Sequence, residues 1–298
     1  MMISLVLLAS SLALPRFQEN EQPHHPALIA TLADPAVSES SGLVASLRTP
    51  GLLWTINDSD NPPTLFATNR AGDALATVTV TGAINVDWEE IATAVTGDGN
   101  TLLYLADTGD NRRTRAEIAI YRVPEPAIDP TAGASTARHE TELAQRFPLV
   151  LPDGARDVEA MLVQPITGEM LLVSKEAAGA AAVYQVPPLI EPEEPLVVTR
   201  RDDLALPGFG PFRAVTGGAI AATGDQVALR TATAAYLWRL PAEIAVRDML
   251  TEPPRRVEMP PMPAGEAITF SAGGESFFLT SEGTPCPLYE IALEPHAA

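Results

Sequence analysis

Five returns of one sequence unit, up to four apolar runs within each, and the lack of any sustained helical period predict an all-β chain: a single β-propeller of five blades. The unit opens on "SESSGLVAS" (38–46), "DWEEIATAV" (87–95), "DVEAMLVQP" (157–165), "TGGAIAATG" (216–224) and "GEAITFSAG" (265–273). Each is small or acidic at its start and apolar after it.

A turn rich in Gly, Asp or Pro then leads to a second run: "GLLWTIND" (51–58), "TLLYLAD" (101–107), "EMLLVSK" (169–175), "DQVALRT" (225–231) and "ESFFLTSE" (275–282). Third runs follow at "TLFATN", "IAIYRV", "AAVYQV", "AAYLWRL" and "PLYEIAL". Fourth runs stand at "ALATVTV" (74–80), "QRFPLVL" (145–151), "PLVVTRR" (195–201) and "PRRVEMP" (254–260). The last unit has none. "PALIATL" (26–32) precedes the first unit without one of its own, so this N-terminal strand is expected to close the last blade and remove an exposed edge. A two-sheet sandwich would leave the repeat unexplained, whereas six blades would require an irregular one inside residues 87–151.

The 298 residues hold 19 basic against 38 acidic side chains, a formal charge of -19. That balance argues against nucleic acid and against anionic membranes, both of which need a basic face, and it favours an acidic site that collects cations. One cysteine, Cys286, excludes a disulfide framework and any CxxC motif. The start, "MMISLVLLASSLALP", is too short to span a bilayer and resembles a secretory leader, with small residues at Ser11 and Ala13 for cleavage but no positive n-region. The expectation is a leader or disordered N-terminus over 1–22 and a propeller domain over 23–298, secreted or periplasmic, soluble and monomeric.

In a propeller blade the first strand lines the channel and the second returns antiparallel to it. The start of one and the end of the other therefore share a face. This gathers Glu39, Ser41, Asp87, Glu89, Asp157, Glu159, Thr216 and Glu266 from strand starts, and Asn57, Asp58, Asp107, Asp110, Asn111, Lys175, Glu176, Arg230, Ser281 and Glu282 from strand ends. Close carboxylates cannot all stay ionised without compensation, so either their pKa values rise or a cation binds. Oxygen donors suit a hard ion, calcium before magnesium. Zinc is disfavoured because His24, His25, His139 and His296 fall outside both rings. The competing reading is a polar plug with ordered water.

Lys175 is the only lysine beside eighteen arginines. A compact charge that contacts phosphate, or a plain salt bridge to a neighbouring acid, would each explain it. No GxSxG, P-loop, HExxH or GxGxxG occurs. "DTGDN" (107–111) reads as a turn between second and third strands, and Trp54, Trp88 and Trp238 read as core residues.

At "ESSGLVASLRTPGLLWTINDSDNPPTLFATN", "DWEEIA" and "LYLADTGDNRR" the chain resembles bacterial propellers related to the NHL-repeat and phytase-esterase-like families. More distantly it is similar to calcium-dependent apyrases, five-bladed propellers with one central calcium. That resemblance implies metal ligands at Ser41, Glu89, Glu159 and Glu266, with Thr216 joining only if its strand begins on a bulge, since Gly218 stands at the aligned acid position. Two functions follow as expectations. One is a calcium-dependent hydrolase of phosphoesters or related esters, with Glu159, Asp107 or Glu282 as base and Lys175, Arg230, Asp58 and Asn57 holding a small anionic substrate. The other is a non-catalytic binding or scaffold propeller with a structural calcium or polar plug.

Overall fold

Each unit turns back on itself at a glycine. Gly51, Gly99, Gly168, Gly224 and Gly274 all have φ between 71° and 84°, in the left-handed region that L side chains avoid, between the first and second strands of the five units. The computed structural model describes residues 26–294 apart from 132–137, 178–179, 209, 240 and 242–243. The expected leader and His24, His25 and His296 lie outside the described residues.

A first strand, β1 (Ala27–Thr31), is followed by blade 1: β2 (Ser40–Ala45), β3 (Leu52–Asn57), β4 (Thr64–Asn69) and β5 (Ala76–Thr79). Blade 2 is β6 (Trp88–Val95), β7 (Thr101–Asp107), β8 (Ile118–Pro124) and, beyond a short β9 (Arg138–Glu140), β10 (Gln145–Val150). Blade 3 is β11 (Val158–Val163), β12 (Met170–Ser174), β13 (Val183–Val186) and, beyond β14 (Leu196–Val197), β15 (Thr199–Arg200). Blade 4 is β16 (Val215–Ile220), β17 (Gln226–Thr231), β18 (Ala234–Arg239) and β19 (Arg255–Glu258). Blade 5 is β20 (Gly265–Phe270), β21 (Ser276–Ser281) and β22 (Pro287–Ala292), and β1 completes it by pairing antiparallel with β22.

The ring is closed. Inner strands β2, β6, β11, β16 and β20 each pack on the next, and β20 packs on β2. First and second strands are therefore covered on both faces and read as continuous apolar runs, as in β3, β11, β17 and β21, whose residues are all buried. Outer strands such as β5 and β19 alternate instead.

The core is five wedges, one between each pair of neighbouring blades. Trp54 and Trp88 fill the wedge between blades 1 and 2, and Trp238 lies in the wedge between blades 3 and 4. Each indole N–H has an acceptor: Glu125 Oε1 at 2.9 Å, the Ile84 carbonyl at 3.1 Å and the Glu252 carbonyl at 2.7 Å.

Two short strands depart from the sequence expectation. The run at 195–201 divides, so that β14 adds to blade 2 parallel to β10 while β15 belongs to blade 3. Residues 87–151 make one blade, and their extra length supplies β9, which pairs parallel with β5 at the edge of blade 1. Both additions supply partners to edge strands that would otherwise stand open.

One contact crosses the channel. Glu90, fully buried on β6, accepts the Gly218 N–H of β16 at 2.8 Å and the Ile91 N–H at 3.1 Å. Gly217 and Gly218 carry no side chain into this space, and a Cβ on Gly217 would lie 3.5 Å from Glu90 Oε2. Blade 4 thus presents bare backbone where blade 2 inserts an acid. Glu90→Ala strips a buried N–H of its acceptor, so the denaturant midpoint should fall by the equivalent of about 1–3 kcal/mol at unchanged slope. A midpoint equal to that of the parent would show that the crossing contributes nothing.

Candidate metal centre at the channel mouth

Every inner strand slips register within its first residues, between Ser40 and Gly42, Trp88 and Glu90, Val158 and Ala160, Val215 and Gly217, and Gly265 and Ile268. The residues left out of the ladder are Ser41, Glu89, Glu159 and Thr216, with Glu266 and Ala267 in the last blade. A bulge re-aims a side chain that regular pleating would send to the other face. Five bulges at one level thus repeat one placement around the axis.

The carboxylates meet there. Ligand oxygens of Asp58, Asp87 and Glu89 lie within 4.8 Å of one another, as do those of Asp58, Glu266 and Glu282, and those of Glu89, Asp157 and Glu159. The three groups share Asp58 and Glu89 and join residues from blades 1, 2, 3 and 5. Against them stands Lys175, whose Nζ contacts Glu159 Oε1 at 2.7 Å.

The loop after β7 holds this arrangement in place. Gly109 lies over the acids so closely that a Cβ would sit 2.0 Å from Glu89 Oε1. The Asp110 N–H donates to Asp157 Oδ1 at 2.8 Å, and Asp107 Oδ1 accepts the Asp87 N–H and the Arg115 guanidinium, both at 3.0 Å. "DTGDN" is thus a clamp on the carboxylates as well as a turn.

Proximity and burial shift the titration upward. Burial, reinforced by Asp58, raises Asp87 to about 7. Burial raises Glu159 to about 8 against the opposing pull of Lys175, and burial with Glu159 raises Glu266 to about 9. Glu89 and Glu282 are raised as well, first by burial and then by Glu159 and Asp58 respectively. Burial works against the Lys175 ammonium, but Glu159 outweighs it and holds the lysine above its ordinary value.

Two buried oxygens, Glu159 Oε2 and Glu266 Oε2, have no hydrogen-bond partner. An all-oxygen donor set with buried lone pairs left over fits a hard divalent cation, calcium above all. Among the described residues the one histidine, His139, sits exposed on β9 at the edge of blade 1, away from the inner strands, and offers the site no imidazole.

The expected ligands are not equivalent. Glu89, Glu159 and Glu266 all enter the clusters. Ser41 donates to the Trp88 carbonyl at 2.7 Å and Thr216 to that of Gly265 at 3.2 Å, so these hydroxyls brace neighbouring inner strands with only their lone pairs left for an ion. Glu282 and Asp58 belong to the clusters, Asp58 as a ligand candidate in two of them.

Three expected site residues face elsewhere. Arg230 is 1% exposed, and its Nη1 donates to the carbonyls of Ala267 and Thr280 at 2.6 and 2.8 Å, which ties blade 4 to blade 5 and leaves no free head for a substrate. Asn57 donates to the Ala36 carbonyl and accepts the Glu39 N–H. Asp107 is engaged by Arg115 and the Asp87 backbone, and burial raises its pKa. Strand-end position brought all three to the right level, but their local hydrogen bonds turn them into struts.

Conversely, Asp87 and Asp157 stand in the clusters as firmly as the glutamates, though ranked behind them by the apyrase-like alignment. The acid repeated two residues before Glu89 and Glu159 was the signal for them. Arg113 had no such signal; it borders a cavity beside Lys175 and donates to Glu176 Oε2 at 2.9 Å.

No family model matches the sequence, and no curated protein matches it. Among solved structures, the fold is similar to a gluconolactonase from Xanthomonas campestris, with 11% identity and a TM-score of 0.42 over 81% of this chain and 68% of that one. It is also similar to a PQQ-bound aldose sugar dehydrogenase from Streptomyces coelicolor, with 12% identity and a TM-score of 0.48 over 91% of this chain and 99% of that one. At such identities the likeness concerns chain path and no activity.

The raised carboxylates set a sign for pH. Asp87, Glu159 and Glu266 keep protons in the fold that the unfolded chain releases near its ordinary carboxylate range, so their favourable contribution is complete below that range and declines as pH rises towards about 7, 8 and 9. In chelator the thermal midpoint should therefore fall between about pH 5 and pH 9, and millimolar calcium should flatten the decline. A flat profile in chelator would contradict the placement of these groups.

Proposed function

We propose that the chain is a divalent-cation-dependent hydrolase of a small anionic ester, a phosphoester or close relative, working at the acidic mouth of the channel. The observation that carries this reading is the meeting of seven carboxylates with one lysine, two of their buried oxygens lacking any partner, beside a cavity of about 410 Å³. Glu89, Asp157 and Glu159 form the most enclosed of the three groups, and all three are buried. They would hold the ion, with Asp58 and Glu266 as further donors and Glu282 beside them free of it.

The ion supplies a Lewis acid that polarises the scissile group and favours ionisation of water. Lys175 is oriented by Glu159, and its side chain is 30% exposed, so its ammonium can meet an anion entering from the cavity. Glu282 is open enough to meet water, and its raised pKa brings it nearer to neutral pH, where a carboxylate serves best as a general base. It takes the proton that the attacking water loses as the new bond forms and the ester bond to the alkoxide breaks, then returns that proton to the alkoxide, which leaves as the alcohol through the open mouth.

The stitching of inner strands by Ser41, Thr216 and Glu90 favours a second reading, a scaffold whose cation only locks the blades. One set of assays separates the two. Hydrolysis of p-nitrophenyl phosphate and p-nitrophenyl esters should vanish in chelator and return with calcium, and Glu282→Gln should lower kcat at least about 100-fold with calcium binding retained. Full activity in chelator would refute the mechanism. A higher thermal midpoint in calcium with no hydrolysis of any ester would establish the scaffold.

A further inference from the structure

The cavity beside the carboxylates has a mixed lining: Asn111, Arg113, Asp157, Lys175, Thr216 and Glu266 bring polar groups to it, and Ala177, Ala214, Ala232, Ala264 and Met262 bring apolar ones. At about 410 Å³ it lies at the small end of the range for ligand pockets. The apolar part of the lining comes from blades 3, 4 and 5: Ala177 follows β12, Ala214 and Ala232 flank the first hairpin of blade 4, and Met262 and Ala264 lead into β20.

Buried Arg230 shapes this lining. Its Nη2 donates to Met262 Sδ at 3.4 Å, and Gly265 admits the guanidinium so closely that a Cβ there would lie 1.9 Å from Nη2. The arginine expected to grip an anion instead holds a thioether that lines the cavity. Metal binding alone would need no such apolar lining, and an ester with charge at both ends would lose hydration against it without compensation.

We infer that the ligand of this mouth is a small amphiphile, an ester whose anionic reacting end faces Lys175 and the cation and whose other end is a short aliphatic chain lying on Ala214, Ala232 and Met262. The inference rests on the ester-site reading of the mouth and adds the substrate class to it. Small side chains leave room for an unbranched chain, and each methylene removed from water there strengthens binding about fourfold.

The test is calorimetric titration of the calcium-loaded full chain with ethyl-, butyl- and hexylphosphonate, which cannot be hydrolysed. Affinity should climb about fourfold per methylene from ethyl to butyl and level off once the chain outgrows the cavity. Ala232→Leu and Ala177→Leu alter exposed positions and should preserve the fold; each should lower hexylphosphonate affinity at least about tenfold while leaving ethylphosphonate within about twofold. Affinity that is independent of chain length, hexylphosphonate binding unchanged in both variants, or no phosphonate binding at all would overturn the inference. Chain-length-dependent binding without turnover of any ester removes the hydrolase reading and leaves the amphiphile site standing. Turnover with flat binding does the reverse.

Discussion

Five inner strands lean on one another around a single axis, and the rest of the molecule follows from that contact. Because each packs against both neighbours, none can present a polar face to solvent except at its ends. Polar side chains are accordingly confined to the rims of the ring and to the channel. Closure depends on β1 pairing with β22, which joins the two ends of the chain in one sheet and leaves no blade short of a fourth strand. Without β1 the outer edge of β22 in blade 5 would stand open.

The price of that closure is negative charge brought into a confined space. Seven carboxylates converge from four blades, while the only lysine pairs with Glu159. Burial and mutual repulsion push Asp87, Glu89, Glu159, Glu266 and Glu282 up, so without a cation the mouth must hold protons that a solvated surface would release. The DTGDN loop keeps the groups from swinging apart, through Gly109 packed on Glu89, the Asp110 N–H donated to Asp157, and Asp107 accepting the Asp87 N–H. Such preorganisation would let a hard ion collect oxygen ligands from several blades at once. It also explains why Arg115 and Arg230 do not neutralise the mouth: one is bound to Asp107 and the Gly109 carbonyl, the other is drawn into the seam between blades 4 and 5.

Much of this was legible along the chain. Apolar runs at even spacing reveal strands because first and second strands are buried on both faces, and an acid recurring at strand starts reveals the mouth because inner strands share one direction. Other features had no linear signal. The bulge at each inner strand is a register relation between two strands, so no residue at Ser41 or Glu159 announces it. Thr216 illustrates the point: the alignment left its place conditional on a bulge, and the slip between Val215 and Gly217 is present. Glu90 could not be told from Glu89 by composition, yet one faces the mouth while the other crosses the channel to Gly218.

By itself the sequence pointed to five blades with six still open, the order of their inner three strands, the borrowed closing strand and the acidic character of one rim, since repeat period and hydrophobic pattern are local properties read residue by residue. Tertiary structure alone decided which polar groups are available. Arg230, Asn57 and Asp107 stand at the expected height but find backbone partners across a blade seam or within a loop, whereas Asp58, Asp87 and Asp157 keep their carboxylates at the mouth. A side chain's chemistry is fixed by its identity, but its freedom to act depends on which donors and acceptors the folded chain sets within about 3 Å of it.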